Sequence, residues 1–508
     1  MPDDRTMARV AWLLPVACAA IAYFPITGNY FHADDFLDLY QLRNDDAAHY
    51  FLRMYGSHLL IARHGVTALF DALFGANPLG YFVVVLLTHL VNVAMVYLVA
   101  LRLSGSWRLA CVAAAMWGVA AVNEGALGWY AVYGQVVAAT CTLLVLAGLA
   151  GAEQDARSSW GLPVRWALLM VLAGMMFGAG IAAALVMPIV AWLMLSRPPL
   201  RWRAIAAFVG AAALLMATYA TLRKLELPLF GELRIETSFA LAGLFNFGWH
   251  LPLLGTLLGF GLAQWPLGPL SAPLQISALV NVVPMVGGSL LVAAGFLCAS
   301  PRSRRHLLAC LLLVLAIYGL IAVARSPFIA LPMGLIGLAR SSRFHYAPGA
   351  LLSLLLTLSL GAVAARIKLS ARTANLLFAA WAMGLATLLY AVDHQINHFD
   401  IDRSETAAVL AEIRRSIAAA PPGGTVFIPN KPFGSVGMFN FGYRDRFPGS
   451  AAIFAIFYPD NVVDGRLVVF TSTDPLTLRG ARGRRGATLL SRPPDLPDPG
   501  AAAKEAPP

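Results

Sequence analysis

Apolar runs separated by short, basic connections dominate the chain from residue 10 to residue 391. They lie at about residues 10–26, 79–101, 109–122, 132–151, 165–178, 180–195, 204–222, 278–299, 306–323, 345–365 and 374–391. None shows the strict alternation of a half-buried strand, so each run predicts a helix. A bilayer core about 30 Å thick takes about 20 apolar residues per helix. Only helices and closed barrels satisfy their backbone polar groups there. The pattern therefore predicts an all-α polytopic membrane bundle of about eleven transmembrane helices, within residues 1–391. Residues 237–272 are also apolar, but Gly243, Gly248, Pro252, Gly255, Pro266 and Gly268 interrupt them, which points to an interfacial or re-entrant segment.

Three stretches fall outside this pattern: residues 27–78, residues 223–277 and everything from residue 392. The first is far longer than a usual connection and is expected to carry function. In the third, an amphipathic helix near 404–418 stops at Ala419-Ala420-Pro421-Pro422-Gly423-Gly424, and short strands follow near 425–429, 452–457 and 467–472. A small α/β domain is expected over 392–478, and a disordered tail rich in Arg, Pro and Ala over 479–508.

Composition agrees with the membrane reading. Of 508 residues, 59% are hydrophobic and only 12% charged, with a mean hydropathy of +0.70. These values exclude a single water-soluble globule and a disordered chain alike. A net charge of +11 would suggest nucleic acid in a soluble protein, but here it follows topology. If the N-terminus is cytoplasmic, 15 of the 37 Lys and Arg residues fall on inside loops that are mostly short. Short positive loops stay cytoplasmic, so residues 27–78 and the C-terminal segment are expected to be extracytoplasmic, and no nucleic-acid partner is expected. The first run also has features of a signal peptide, with Ala19, Ala20 and Ala22 as small residues for cleavage; its removal would leave this orientation unchanged. Cys18, Cys111, Cys141, Cys298 and Cys310 all lie in apolar runs without metal-ligand spacing, and read as packing residues.

Three clusters at the expected outer boundary carry chemistry. Asp34 and Asp35 follow the first run directly, with Asp38, Asp45 and Asp46 behind them. Two close carboxylates push their pKa values apart, so one can take a proton from an acceptor hydroxyl while the other holds it or a divalent ion. The bland reading is a solvated helix start, which is the one favoured for Asp38, Asp45 and Asp46. Glu124 is the one acid in the short connection Val122-Asn123-Glu124-Gly125, ahead of Trp129, Tyr130, Tyr133 and Gln135; substrate contact and ordinary solvation both fit it. Arg340-Ser341-Ser342-Arg343-Phe344-His345-Tyr346 opens the tenth run. An arginine fork binds phosphate bidentately, and His345 and Tyr346 add donors; interfacial anchoring is the alternative. His89 and Asn92, three apart on one helix face, read as structural bonds between helices.

Together these residues resemble the GT-C superfamily of integral-membrane glycosyltransferases, in the branch holding bacterial polyprenyl-phosphate-sugar-dependent enzymes and the O-mannosyltransferases. Leu73-Phe74-Gly75-Ala76-Asn77-Pro78-Leu79-Gly80-Tyr81, with His89 and Asn92, is similar to the start of that branch's second span. Val122-Asn123-Glu124 is similar to its Val-Asn-x-Glu loop with one residue missing, and Arg343-Phe344-His345-Tyr346-Ala347-Pro348 to its Arg-Tyr-x-Tyr-x-Pro signature. One departure stands out. Where the family often carries Lys-Glu or a similar polar pair entering span six, this chain has Phe177-Gly178-Ala179-Gly180-Ile181-Ala182, with no ionisable side chain.

The resemblance implies a multi-pass protein of the bacterial inner membrane and a polyprenyl-phosphate sugar donor. It further implies an extracytoplasmic acceptor that is a protein, lipid or polysaccharide, a first-loop Asp (Asp34 or Asp35) as base, and a divalent cation in some members. Glu124, Arg343, His345 and Tyr346 would contact substrate. A transporter or flippase for a lipid-linked substrate, and a non-catalytic family member, remain the alternative readings at this point.

Overall fold

The computed structural model describes residues 4–31, 34–54, 58–152, 160–225, 247–271, 278–326, 329, 334–396, 411, 414–429, 462–471 and 489–490. Its long helices are α1 (Leu13–Tyr23), α2 (Pro78–Ser104), α3 (Trp107–Gly118), α4 (Tyr133–Gly151), α5 (Gly161–Met176), α6 (Gly178–Met194), α7 (Pro198–Lys224), α8 (Phe247–Ser271), α9 (Ala278–Cys298), α10 (Pro301–Arg325), α11 (Tyr346–Arg366) and α12 (Ala371–Ile396). Local sequence sets many of the starts. Asn77 caps α2 by accepting from the Leu79 N–H, with Pro78 at the first position, and Ser106 and Ser300 cap α3 and α10.

The chain is an integral membrane protein. Among the described residues six helices combine spanning length with sufficient apolarity, and α3 with the bent continuation Ala121–Leu127 passes the same test only as a bent pair, a broken span or a re-entrant loop. Helices α5 and α6 have 16 and 17 residues, about 24–26 Å at 1.5 Å per residue, which is less than the hydrocarbon core. The apolar part of α8, Gly248–Ala263, is short in the same way. Residues 226–246 lie outside the described residues.

Contacts divide the chain into two units. The first comprises residues 1–29, 51–66 and 77–399, and the second residues 30–50, 67–76 and 400–508. At the centre of the first, α6 packs against α4, α5, α7 and α10. Its small buried residues Gly178, Ala179, Gly180, Ala182, Ala183 and Ala184 allow that close approach. A side chain at Gly180 would collide with the Ala173 backbone of α5. The cysteines are free, and all but the half-buried Cys298 are fully buried, in keeping with packing roles.

In the second unit, β1 (Thr425–Pro429) pairs in parallel with β3 (Arg466–Thr471), β2 (Val462–Val463) runs antiparallel to β3, and β4 (Leu489–Leu490) parallel to it. Val426 and Val468 pair and are buried, while Phe427 and Leu467 are exposed, as period-two alternation requires. The strand expected near 452–457 lies outside the described residues, as do residues 404–410 of the expected helix and most of 479–508.

Candidate functional site

The turn between α5 and α6 defines one end of the first unit, called the rim here. The short helix Glu124–Leu127 and the 3-10 turn Ser342–His345 meet at the rim. A Cβ at Gly125 would strike Ser342 Oγ and the Arg343 backbone N, so only glycine permits this seating. Two motifs more than two hundred residues apart in the chain are thus packed directly on each other.

Arg343 is half-buried, and its guanidinium carbon sits 5.1 Å from the Trp129 ring centroid and 5.1 Å from that of Phe344. Arg325, the last residue of α10, approaches the same Phe344 ring at 5.8 Å. Two guanidiniums therefore flank one aromatic ring. Stacking engages the guanidinium face, and the in-plane N–H groups keep the fork geometry that suits phosphate.

The adjacent His345 and Tyr346 are buried and engaged within the protein. His345 Nε2 lies 2.6 Å from the Ala339 carbonyl and Nδ1 2.7 Å from the Tyr318 hydroxyl, so Nε2–H donates and Nδ1 accepts. The Tyr346 hydroxyl lies 2.9 Å from His89 Nδ1 and accepts from Asn92 Nδ2 at 3.1 Å. His89 Nε2 donates to the Gly118 carbonyl at 2.9 Å, and Asn92 Nδ2 also donates to Val136 O at 3.0 Å. His89 and Asn92 are thus the interhelical polar bonds that their spacing suggested.

Glu124 is half-buried at the start of its short helix.

One rim residue stands in no motif of its own in the sequence. His58, from the first long loop, stacks on Phe177 with ring centroids 4.4 Å apart and fills the space above Gly178, where a Cβ would lie 2.7 Å from Nδ1. Its Nε2 is 3.5 Å from Arg325 Nη2. Burial, and then the charges of Arg325 and Arg63, pull its pKa down to about 3 and keep the ring neutral at neutral pH. Arg63 is itself buried. The place where the resemblance leads one to expect a polar pair thus receives its polar groups from elsewhere: His58 over the α5–α6 turn, with Arg325 beside it.

Asp34 and Asp35 belong to the second unit, where they form the first turn of the helix Asp34–Asn44. Carboxylates are favoured at that position by the partial positive charge of the helix start. Asp35 is fully buried and Asp34 half-buried. Asp38, expected to be solvated, is instead buried and accepts from the Tyr50 hydroxyl at 3.3 Å and Thr67 Oγ1 at 3.2 Å. Those hydroxyls compensate its desolvation, and the helical period sets it on the same inward face as Asp35. Asp45 and Asp46 are exposed, as expected. Among the described residues no group of three or more His, Cys, Asp or Glu side chains is arranged to hold a metal ion.

No protein-family model matches the chain, and no curated protein does. Among solved structures, the crystal structure of ArnT from Cupriavidus metallidurans bound to undecaprenyl phosphate is similar over 92% of this chain and 86% of that one, at 15% identity and a TM-score of 0.48.

Proposed function

We propose that this protein is a membrane glycosyltransferase that moves a sugar from a polyprenyl-phosphate donor to an acceptor outside the cytoplasm. The observation that carries the reading is the seating of Glu124–Leu127 on Ser342–His345, which unites the acidic and the arginine motif at one rim of the bundle. Arg343, with Arg325 beside the shared Phe344 ring, holds the donor phosphate and stabilises the charge that develops on it as the glycosidic bond breaks. His345 and Tyr346, whose polar atoms are engaged internally, fix the turn that presents Arg343. The role of base toward the acceptor hydroxyl is assigned to Asp34 or Asp35 on the resemblance alone, and Glu124 positions the acceptor or a divalent ion. The lipid tail of the donor lies against the apolar helices.

Membranes containing the protein are incubated with a labelled polyprenyl-phosphate sugar, and release of the sugar from its lipid is followed. Release that is lost in Asp34→Asn or Asp35→Asn is expected. Full release in both variants would remove the two aspartates from the role of base, and no release from any donor by the wild-type chain would overturn the transferase reading itself.

A further inference from the structure

His58 stands beside an arginine that the proposed transfer uses, and the α5–α6 turn is shaped to receive it. Phe177 has extended backbone between the two helices, and the imidazole lies on its ring with centroids 4.4 Å apart. Gly178, buried as the first residue of α6, leaves the space: a Cβ there would lie 2.7 Å from His58 Nδ1 and 3.1 Å from Cε1. These two contacts fix both the place and the plane of the ring.

The other edge of the imidazole faces α10. Arg325, the last residue of that helix, brings Nη2 to 3.5 Å from His58 Nε2. A guanidinium is always charged and can only donate, so Nε2 accepts and the ring proton sits on Nδ1. Burial, and then the charges of Arg325 and Arg63, keep the ring neutral and thus keep Nε2 an acceptor. The same Arg325 guanidinium approaches the Phe344 ring at 5.8 Å, which Arg343 reaches at 5.1 Å. Arg325 is therefore engaged both by an acceptor at its edge and by the ring it shares with Arg343. A long arginine side chain loses rotamer freedom when a ligand fixes it, and contacts that fix it beforehand lower that cost.

We infer that His58 is a positioning residue, which by accepting from Arg325 Nη2 holds that guanidinium beside Arg343 in the arrangement that receives the donor phosphate. The inference rests on the transferase reading. It gives the first long loop a task toward the donor, separate from that of the base, and it gives the departure at residues 177–182 a use: the missing side chain at Gly178 admits a ring from residue 58.

Donor KM and kcat are measured in membranes for release of sugar from a labelled polyprenyl-phosphate donor. His58→Phe keeps a ring over Gly178 but offers no acceptor, so the donor KM should rise about tenfold with kcat nearly unchanged. His58→Gln, whose amide oxygen can accept from Arg325 without the ring, should recover most of that loss. The double variant His58→Phe/Arg325→Gln should be no weaker than Arg325→Gln alone, because the two side chains act through one contact. A wild-type KM in His58→Phe would reduce the imidazole to packing and overturn the inference. So would a His58→Gln variant as weak as His58→Phe, or additive losses in the double variant. A second readout is independent of transfer: retention of sugar-free polyprenyl phosphate by the purified full chain, counted by native mass spectrometry, should fall in His58→Phe and hold in His58→Gln. If the wild-type chain releases no sugar from any donor, the transferase reading falls, and equal retention by the two variants would separately sink the positioning role.

Discussion

Arg343 and Tyr346 are three residues apart on one turn, yet they live in different surroundings. Arg343 is half-buried, stacked between Trp129 and Phe344 at the rim, whereas Tyr346 is fully buried with its hydroxyl between His89 and Asn92. The hydroxyl gives its one proton to His89 and accepts from Asn92, both on α2, so it has no donor left for a substrate phosphate. A half-buried guanidinium has five N–H donors in a planar fork, a shape that suits phosphate, and its face lies on aromatic rings. Polar residues in one short motif thus separate into binding and holding roles by burial and donor type.

The largest effect should come from the binding half. Arg343→Ala removes a charge-stabilising donor, so transfer should fall by about a hundred- to a thousandfold while the protein folds with an unchanged melting temperature. Arg343→Lys should recover only part, because a point charge does not reproduce the fork. If Arg343→Ala transfers sugar at the wild-type rate, the division of the turn fails. Arg325→Gln sharpens the same side: a weaker donor KM with kcat nearly intact is expected if Arg325 serves donor binding, and a change in kcat alone would place it in the chemical step.

The holding half should respond in stability. Tyr346→Phe leaves His89 Nδ1 without its donor and takes from Asn92 Nδ2 one of its two acceptors, and should cost about 1–3 kcal/mol in unfolding experiments. The surviving folded enzyme should transfer sugar at close to the normal rate. A normal melting temperature with lost transfer would reverse the assignment and return the Tyr346 hydroxyl to the substrate.

How much of this was legible in the sequence differs along the chain for physical reasons. Helix positions from α2 onward follow the apolar runs, because composition alone sets burial in a bilayer, and β1 and β3 follow the alternation of Val426 with Phe427 and Leu467 with Val468. Spanning length was less legible: α5 and α6 are divided by Phe177, whose extended backbone breaks what composition presents as two nearly continuous runs. Glu124 and Arg343 could be chosen as candidates because each stands in a short motif. His58 could not, since a lone histidine in a polar loop has no period, and its significance comes from packing on Phe177 and beside Arg325, 267 positions away. The one trace was the small stretch Gly178-Ala179-Gly180, which leaves room for a large ring supplied from elsewhere.

The smallest expected effect lies at Glu124. Glu124→Gln keeps the shape of this half-buried side chain and removes its charge, so it separates two jobs. If a carboxylate positions the acceptor or an ion, the variant should transfer sugar more slowly at saturating donor, with the donor KM unchanged. If the variant transfers at the wild-type rate, Glu124 is a structural acid of the rim and the substrate role passes wholly to the arginines.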